Sequence, residues 1–182
     1  MVLGAILTAL VIVLQLLGSF IRFGPFSISL VLLPIVVGAA MCGPSVSAWL
    51  GLAFSSIVLL TDCTPFYSVS VPGTVATVLV KGVACGLVAG LIYKLVAKKN
   101  RYVGVVSAAI LCPIVNTGIF VVGCYLFFFD TIAQWGAAEG VLNTTEYIFL
   151  GMIGANFLVE LGINIVLSPI IVRLLNIGQK KN

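Results

Sequence analysis

The sequence predicts an all-α integral membrane protein: six transmembrane helices in a compact bundle, with the N- and C-termini cytoplasmic and a single domain over residues 1–182. Three observations lead there. Of the 182 residues, 62% are hydrophobic and only 8% charged, with a mean hydropathy of +1.29, whereas soluble domains carry roughly 25% charged residues. Such a chain cannot cover its surface with polar groups, so lipid must be its solvent. Proline, glycine and charged residues then cut the chain into six apolar segments, and a membrane span needs about 20 residues. Finally, the basic residues fall almost entirely on one side of those segments.

The first segment covers 1–20 and closes at the turn-like "IRFGPFS". Neither a basic stretch nor a small-residue cleavage site accompanies it, so a cleaved signal peptide is not expected. The second, 27–41, is short, contains Pro34 and ends at "CGP" (42–44). The third, 45–60, leads into the polar loop "TDCTPFYSVSVPG". The fourth is 74–96, followed by "AKKNR", and the fifth is 102–129, followed by an acidic loop holding Asp130 and Glu139. The sixth begins at "NTTE", where Asn143 and Glu146 have capping-box spacing, and runs to 177.

With six spans, the termini share a side with the second–third and fourth–fifth loops. Lys94, Lys98, Lys99, Arg101, Arg173, Lys180 and Lys181 lie on that side, seven of the nine basic residues, which makes it cytoplasmic. Asp62, Asp130, Glu139 and Glu146 lie on the other, together with Arg22, while Lys81 sits inside the fourth span. The net charge of +4 therefore reads as topology, and no nucleic-acid partner is expected.

Small residues recur every four positions: Gly82, Gly86 and Gly90; Ser47, Gly51 and Ser55; Ala5 and Ala9. Such stripes let helix backbones approach closely in lipid, and for the first two, packing within the bundle is the plain expectation. The five cysteines show no CxxC spacing and read as small buried hydrophobes, a Cys63–Cys124 bridge being the lesser alternative. With no histidine and no cysteine cluster, no metal site and no cofactor are expected.

Polar residues converge inside the spans. Asn156, Glu160 and Asn164 form one stripe on the sixth helix, Thr74, Thr77 and Lys81 share a face of the fourth, and Asn116 lies beside Pro113 in the fifth, with Gln15 adding an amide in the first. At about 1.5 Å per residue, Lys81 comes out roughly 10 Å below the outer helix end, Asn156 about 15 Å, and Glu160 and Asn116 near 20 Å. A charge facing lipid there costs at least about 2.5–3.5 kcal/mol, so these groups should face inward. They line either an outward-opening solute cavity or a Lys81–Glu160 brace with amides as interhelical glue. Of the rings in the outer loops, most fit an interfacial belt, but Phe23, Phe26, Phe66 and Tyr67 could also lid a flat solute. Without a GxxxxGK[ST] loop, a G-x-S-x-G elbow or paired carboxylates, no ATPase or other enzyme activity is expected.

The stretches "LGAILTALVIVLQLL" (3–17), "FGPFSISLVLLPIVVGAAMCGP" (23–44), "KGVACGLVAGLIYKL" (81–95) and "CPIVNTGIF" (112–120) resemble the substrate-binding S components of energy-coupling factor (ECF) vitamin transporters. The resemblance implies a membrane-embedded subunit of an ECF-type ABC importer in a prokaryotic cytoplasmic membrane. Such a subunit captures a water-soluble vitamin from outside and delivers it inward with the transmembrane scaffold EcfT and two cytosolic ATPase subunits. It implies that Ala5 and Ala9 face that scaffold, and that the pocket comprises Thr77, Lys81, Asn116, Asn156 and Glu160 beneath gating loops carrying Phe23, Phe26, Phe66 and Tyr67. The basic Lys81 suits a carboxylate-bearing solute such as pantothenate, biotin, lipoate or folate, and the aromatic loops suit a riboflavin-type one. The alternative is a self-sufficient small-solute or ion-coupled carrier or channel in which Glu160 titrates.

Overall fold

The computed structural model describes the backbone of residues 2–20, 22–23, 26–27 and 30–179 and the side chains of 2–20 and 30–173. Helix α1 (Val2–Gly18) is followed by a two-residue antiparallel ribbon, β1 (Arg22–Phe23) with β2 (Phe26–Ser27), paired Arg22 to Ser27 and Phe23 to Phe26. The side chains of Phe23 and Phe26 lie outside the described residues. Next come α2 (Leu32–Cys42), α3 (Pro44–Thr61), a single turn α4 (Thr64–Tyr67) and α5 (Val71–Val96). The long helix α6 (Arg101–Gly123) passes through a π-helical segment, Cys124–Phe128, into α7 (Phe129–Ala138). After a short turn, α8 (Thr144–Glu146) leads through a second π segment, Tyr147–Gly154, into α9 (Ala155–Gln179).

Four continuous helical stretches are long and apolar enough to cross a membrane: Pro44–Thr61, Val71–Val96, Arg101–Ala138 and Thr144–Arg173. Helices α1 and α2 are apolar but shorter. At 11 residues, α2 reaches about 16 Å, half of a hydrocarbon core of about 30 Å. The expected acidic loop after residue 129 is displaced. Asp130 lies in the first turn of α7, and the connection shrinks to the stretch after Ala138, where Gly140 takes a positive φ of 81°. Pro113 does not break α6. Its missing N–H and ring are tolerated because neighbouring helices surround it.

Local capping explains where the helices start. Ser70 accepts from the Gly73 amide, Asn100 from those of Tyr102 and Val103, and Asn143 from those of Thr145 and Glu146, each filling donors that a helix start leaves open. Between α2 and α3, Gly43 adopts φ 88°, ψ −178°, a conformation open to glycine alone. Pro44 then begins α3 where its lack of an N–H costs nothing.

The bundle is closed by backbone contact. A Cβ at Gly51 would collide with the Gly82 carbonyl, one at Gly82 with Ser55 Oγ, and one at Gly86 with the Ser47 carbonyl, while one at Gly90 would come within 2.5 Å of Pro44 Cα. The two glycine–serine stripes are thus the seam between α3 and α5, as expected of packing within the bundle. Across the same seam Ser55 Oγ donates to the Val78 carbonyl at 2.7 Å. Ala5 and Ala9, by contrast, are exposed, as are Ile6, Leu10 and Val13 on the same helix.

Two apolar cores result. One gathers Leu32, Ile35, Leu50, Phe54, Cys85 and Ala108, and the other Phe66, Phe128, Ile132, Ile148 and Met152. All five cysteines are free.

Candidate functional site

A cavity opens where the two cores fail to meet. Its walls come from Val58 and Cys63 of the first core and from Phe66, Phe128, Met152 and Ile153 of the second, with polar residues between them. Atom-free space amounts to about 760 Å³ out to the mouth, of which about 80 Å³ admits the centre of a water-sized molecule. The larger figure includes open solvent at the mouth. The smaller sets how much room exists with the side chains as they stand.

The cavity occupies one end of the bundle. At the opposite end the beginnings of α1 and α3 meet the close of α5, where Gly4 faces Val46 and Gly90 faces Pro44. That end also carries Lys98, Lys99 and Arg101 at the α5–α6 turn. The cavity is built from the last turns of α1 and α3, the turn α4, the first half of α5, the second half of α6 and the beginning of α9.

Each helix delivers its polar residues on one face. Thr74, Thr77 and Lys81 follow one another at i, i+3 and i+7 on α5, and Asn156 and Glu160 at i and i+4 on α9. Asn116 and Thr117 come from α6, and Gln15 from the end of α1. The structure therefore brings together Thr77, Lys81, Asn116, Asn156, Glu160 and Phe66. Asn164, one turn further along α9, does not reach the cavity, and its amide donates instead to the Glu160 carbonyl at 2.8 Å. Tyr67 also lies elsewhere, packed against the first core with its hydroxyl donating to the Leu59 carbonyl at 2.7 Å.

Glu160 is 5% exposed. Bare burial of a carboxylate costs far more than burial of an amide, so its environment has to be polar, and the cavity provides that. The Lys81 ammonium sits 5.3 Å from the centre of the Phe120 ring and 5.7 Å from that of Phe54, close enough for the ring faces to stabilise the charge. Sequence reasoning placed Lys81 and Glu160 about 10 Å apart in depth, yet both line one space. The sixth span opens with eight residues of π-helix, whose i→i+5 bonds pack more residues into a given length.

Two polar residues that the sequence marks only as an outer-side charge and a lone amide, Asp62 and Gln15, also line the cavity. Gln15 Nε2 donates to Asp62 Oδ2 at 3.1 Å, and Thr61 Oγ1 donates to the same oxygen at 2.9 Å. Gln15 is 1% exposed, a burial that its place near the end of an apolar helix does not announce. Beside Asp62, burial pushes the Cys63 thiol up to about 11, with Lys81 opposing the rise and Asp62 adding to it. That thiol stays protonated at neutral pH.

The aromatic residues divide cleanly. Phe20, Tyr125, Phe127 and Phe129 point outward. Phe66 points in, edge-on to Phe120 at 5.9 Å and 89°, to Phe128 at 4.9 Å and to Trp135 at 5.6 Å.

A family model described as "ECF transporter, substrate-specific component" matches residues 1–172. No curated protein and no solved structure matches the chain.

Proposed function

Since the chain belongs to the family of ECF transporter substrate-specific components, a multi-pass membrane transport subunit rather than an enzyme, we propose that it captures a vitamin-like small solute in the cavity between α1, α3, α5, α6 and α9. The observation that carries this reading is the cavity itself: four helices send Gln15, Thr77, Lys81, Asn116, Asn156 and Glu160 to one space at the end of the bundle away from the basic turn. Basic turns stay in the cytoplasm, so the cavity receives solute from outside a prokaryotic cytoplasmic membrane. Six helical segments enter that membrane, the short α2 reaching only part of the way through, with both termini inside.

Release is driven by partners. The exposed face of α1 with Ala5 and Ala9 supports docking on the transmembrane scaffold EcfT, which couples to two cytosolic ATPase subunits. Flat alanine faces admit close helix approach, and this one is not used inside the bundle. A carrier working alone would take up solute in liposomes containing only this chain. The decisive experiment is native mass spectrometry of the detergent-purified protein, followed by co-purification with scaffold and ATPases. A retained small molecule and a stable complex are expected; a bare protein that also transports solute unaided would overturn the assignment.

A further inference from the structure

We propose that the solute selected here is a hydrogen-bond donor, a small planar amidine-like or amino-substituted nitrogen heterocycle, and not a carboxylate; this rests on the reading of the cavity as the solute site. Three residues of its walls each hold a buried oxygen atom with no hydrogen-bond partner among the described residues: Gln15 Oε1, Thr77 Oγ1 and Asn116 Oδ1. Their side chains are 1%, 6% and 5% exposed. The orientation of Gln15 is set by chemistry, because its amide nitrogen already donates to Asp62 Oδ2 and reversal would press two oxygens together. Its carbonyl oxygen, like that of Asn116, can only accept. Thr77 can take either role.

The charges point the same way. Among the described residues the cavity holds two carboxylates, Asp62 and Glu160, and one ammonium, Lys81, which already rests over Phe54 and Phe120. A carboxylate solute would add a third anion to one cation and would satisfy neither amide oxygen. A solute with N–H groups meets all of these atoms at once. Buried polar atoms without partners are rare and call for an explanation, and an absent donor supplies one. Aromatic walls favour a flat body.

The test uses the full chain in lipid nanodiscs with two probes of like size and shape. Benzamidine offers a planar fork of N–H donors, and benzoate offers a planar pair of acceptors. Thermal shift and calorimetry should show benzamidine binding at least about tenfold more tightly than benzoate. Thr77→Val and Asn116→Leu, which keep shape but remove an unsatisfied acceptor, should each weaken benzamidine by about tenfold while the unliganded melting temperature holds or rises. Benzoate binding as tightly as benzamidine, or benzamidine binding unchanged in both variants, would overturn the proposal. If the protein assembles with EcfT and retains a carboxylate solute, the donor rule falls while the transport reading stands. If it assembles but holds no solute and neither probe binds at millimolar concentration, both fall.

Discussion

Gly82→Ala tests whether the α3–α5 seam is what holds the cavity wall in place. The new Cβ would collide with Ser55 Oγ and come within 2.5 Å of the Gly51 carbonyl oxygen and 3.0 Å of Ser55 Cβ. None of these is the loose end of a long side chain, and Ser55 Oγ is tied to the Val78 carbonyl at 2.7 Å. If Ser55 rotates away, a buried hydrogen bond worth about 1 kcal/mol is lost and a polar group is left unsatisfied at a cost of about 1–3 kcal/mol. If instead the helices part, overpacking costs about 1–3 kcal/mol. Alanine returns up to about 1 kcal/mol of helix propensity, leaving a net loss of about 1–3 kcal/mol by the first route and about 0–2 kcal/mol by the second, a return that the Gly118→Ala control shares. Thermal or denaturant unfolding in detergent reads it, with Gly118→Ala as control, because nothing lies within 4 Å of a Cβ there. Gly118→Ala should be neutral or stabilising. Equal stability of the two variants, within about 0.5 kcal/mol, would refute the seam.

Ala9→Leu should leave the melting temperature and solute binding unchanged while abolishing co-purification with EcfT; retained assembly would dismiss the α1 face. Phe66→Ala removes ring contacts to Phe120, Phe128 and Trp135 and should cost about 3–5 kcal/mol, with a red shift of Trp135 fluorescence in a Trp49→Phe background. In a variant keeping only Cys63, a thiol at about 11 instead of the ordinary 9.0 carries about a hundredfold less thiolate at neutral pH. Alkylation should therefore still be accelerating as pH passes 9, and a plateau near there would show an unburied thiol. Lys81→Met should abolish any benzoate binding and leave benzamidine binding intact or tighter; loss of benzamidine binding would make Lys81 a contact for donor solutes.

Much of this architecture was legible because membrane physics leaves few choices. Polar side chains inside apolar helices have to point at one another, so the spacing of Thr74, Thr77 and Lys81 and of Asn156 and Glu160 was enough to place them in one interior. Glycine and serine every fourth residue likewise announced the α3–α5 seam. What stayed hidden depends on features that side-chain periodicity does not encode. The two π segments change how far a helix advances, and hydropathy is blind to hydrogen-bond register. The extension of the fifth span to Ala138 was masked by Asp130, which a helix accepts readily in an exposed first turn. Asp62 looked like a loop charge because its binding to Gln15 joins residues 47 apart in sequence. Phe66 and Tyr67 are neighbours on one helical turn, so only one of them could face inward.

The π-wound walls and the glycine seam give the cavity two sides of unequal tolerance to evolutionary change. Behind Val58, Thr77 and Lys81, α3 and α5 rest main chain on main chain, so the glycines there cannot be exchanged without prising the helices apart. Opposite, at Met152, Ile153 and Phe157, the lining consists of side chains alone, beside a helix already wound in its least economical form. A lineage drifting toward a new nutrient would rewrite that second side first, keeping the fold while changing the diet.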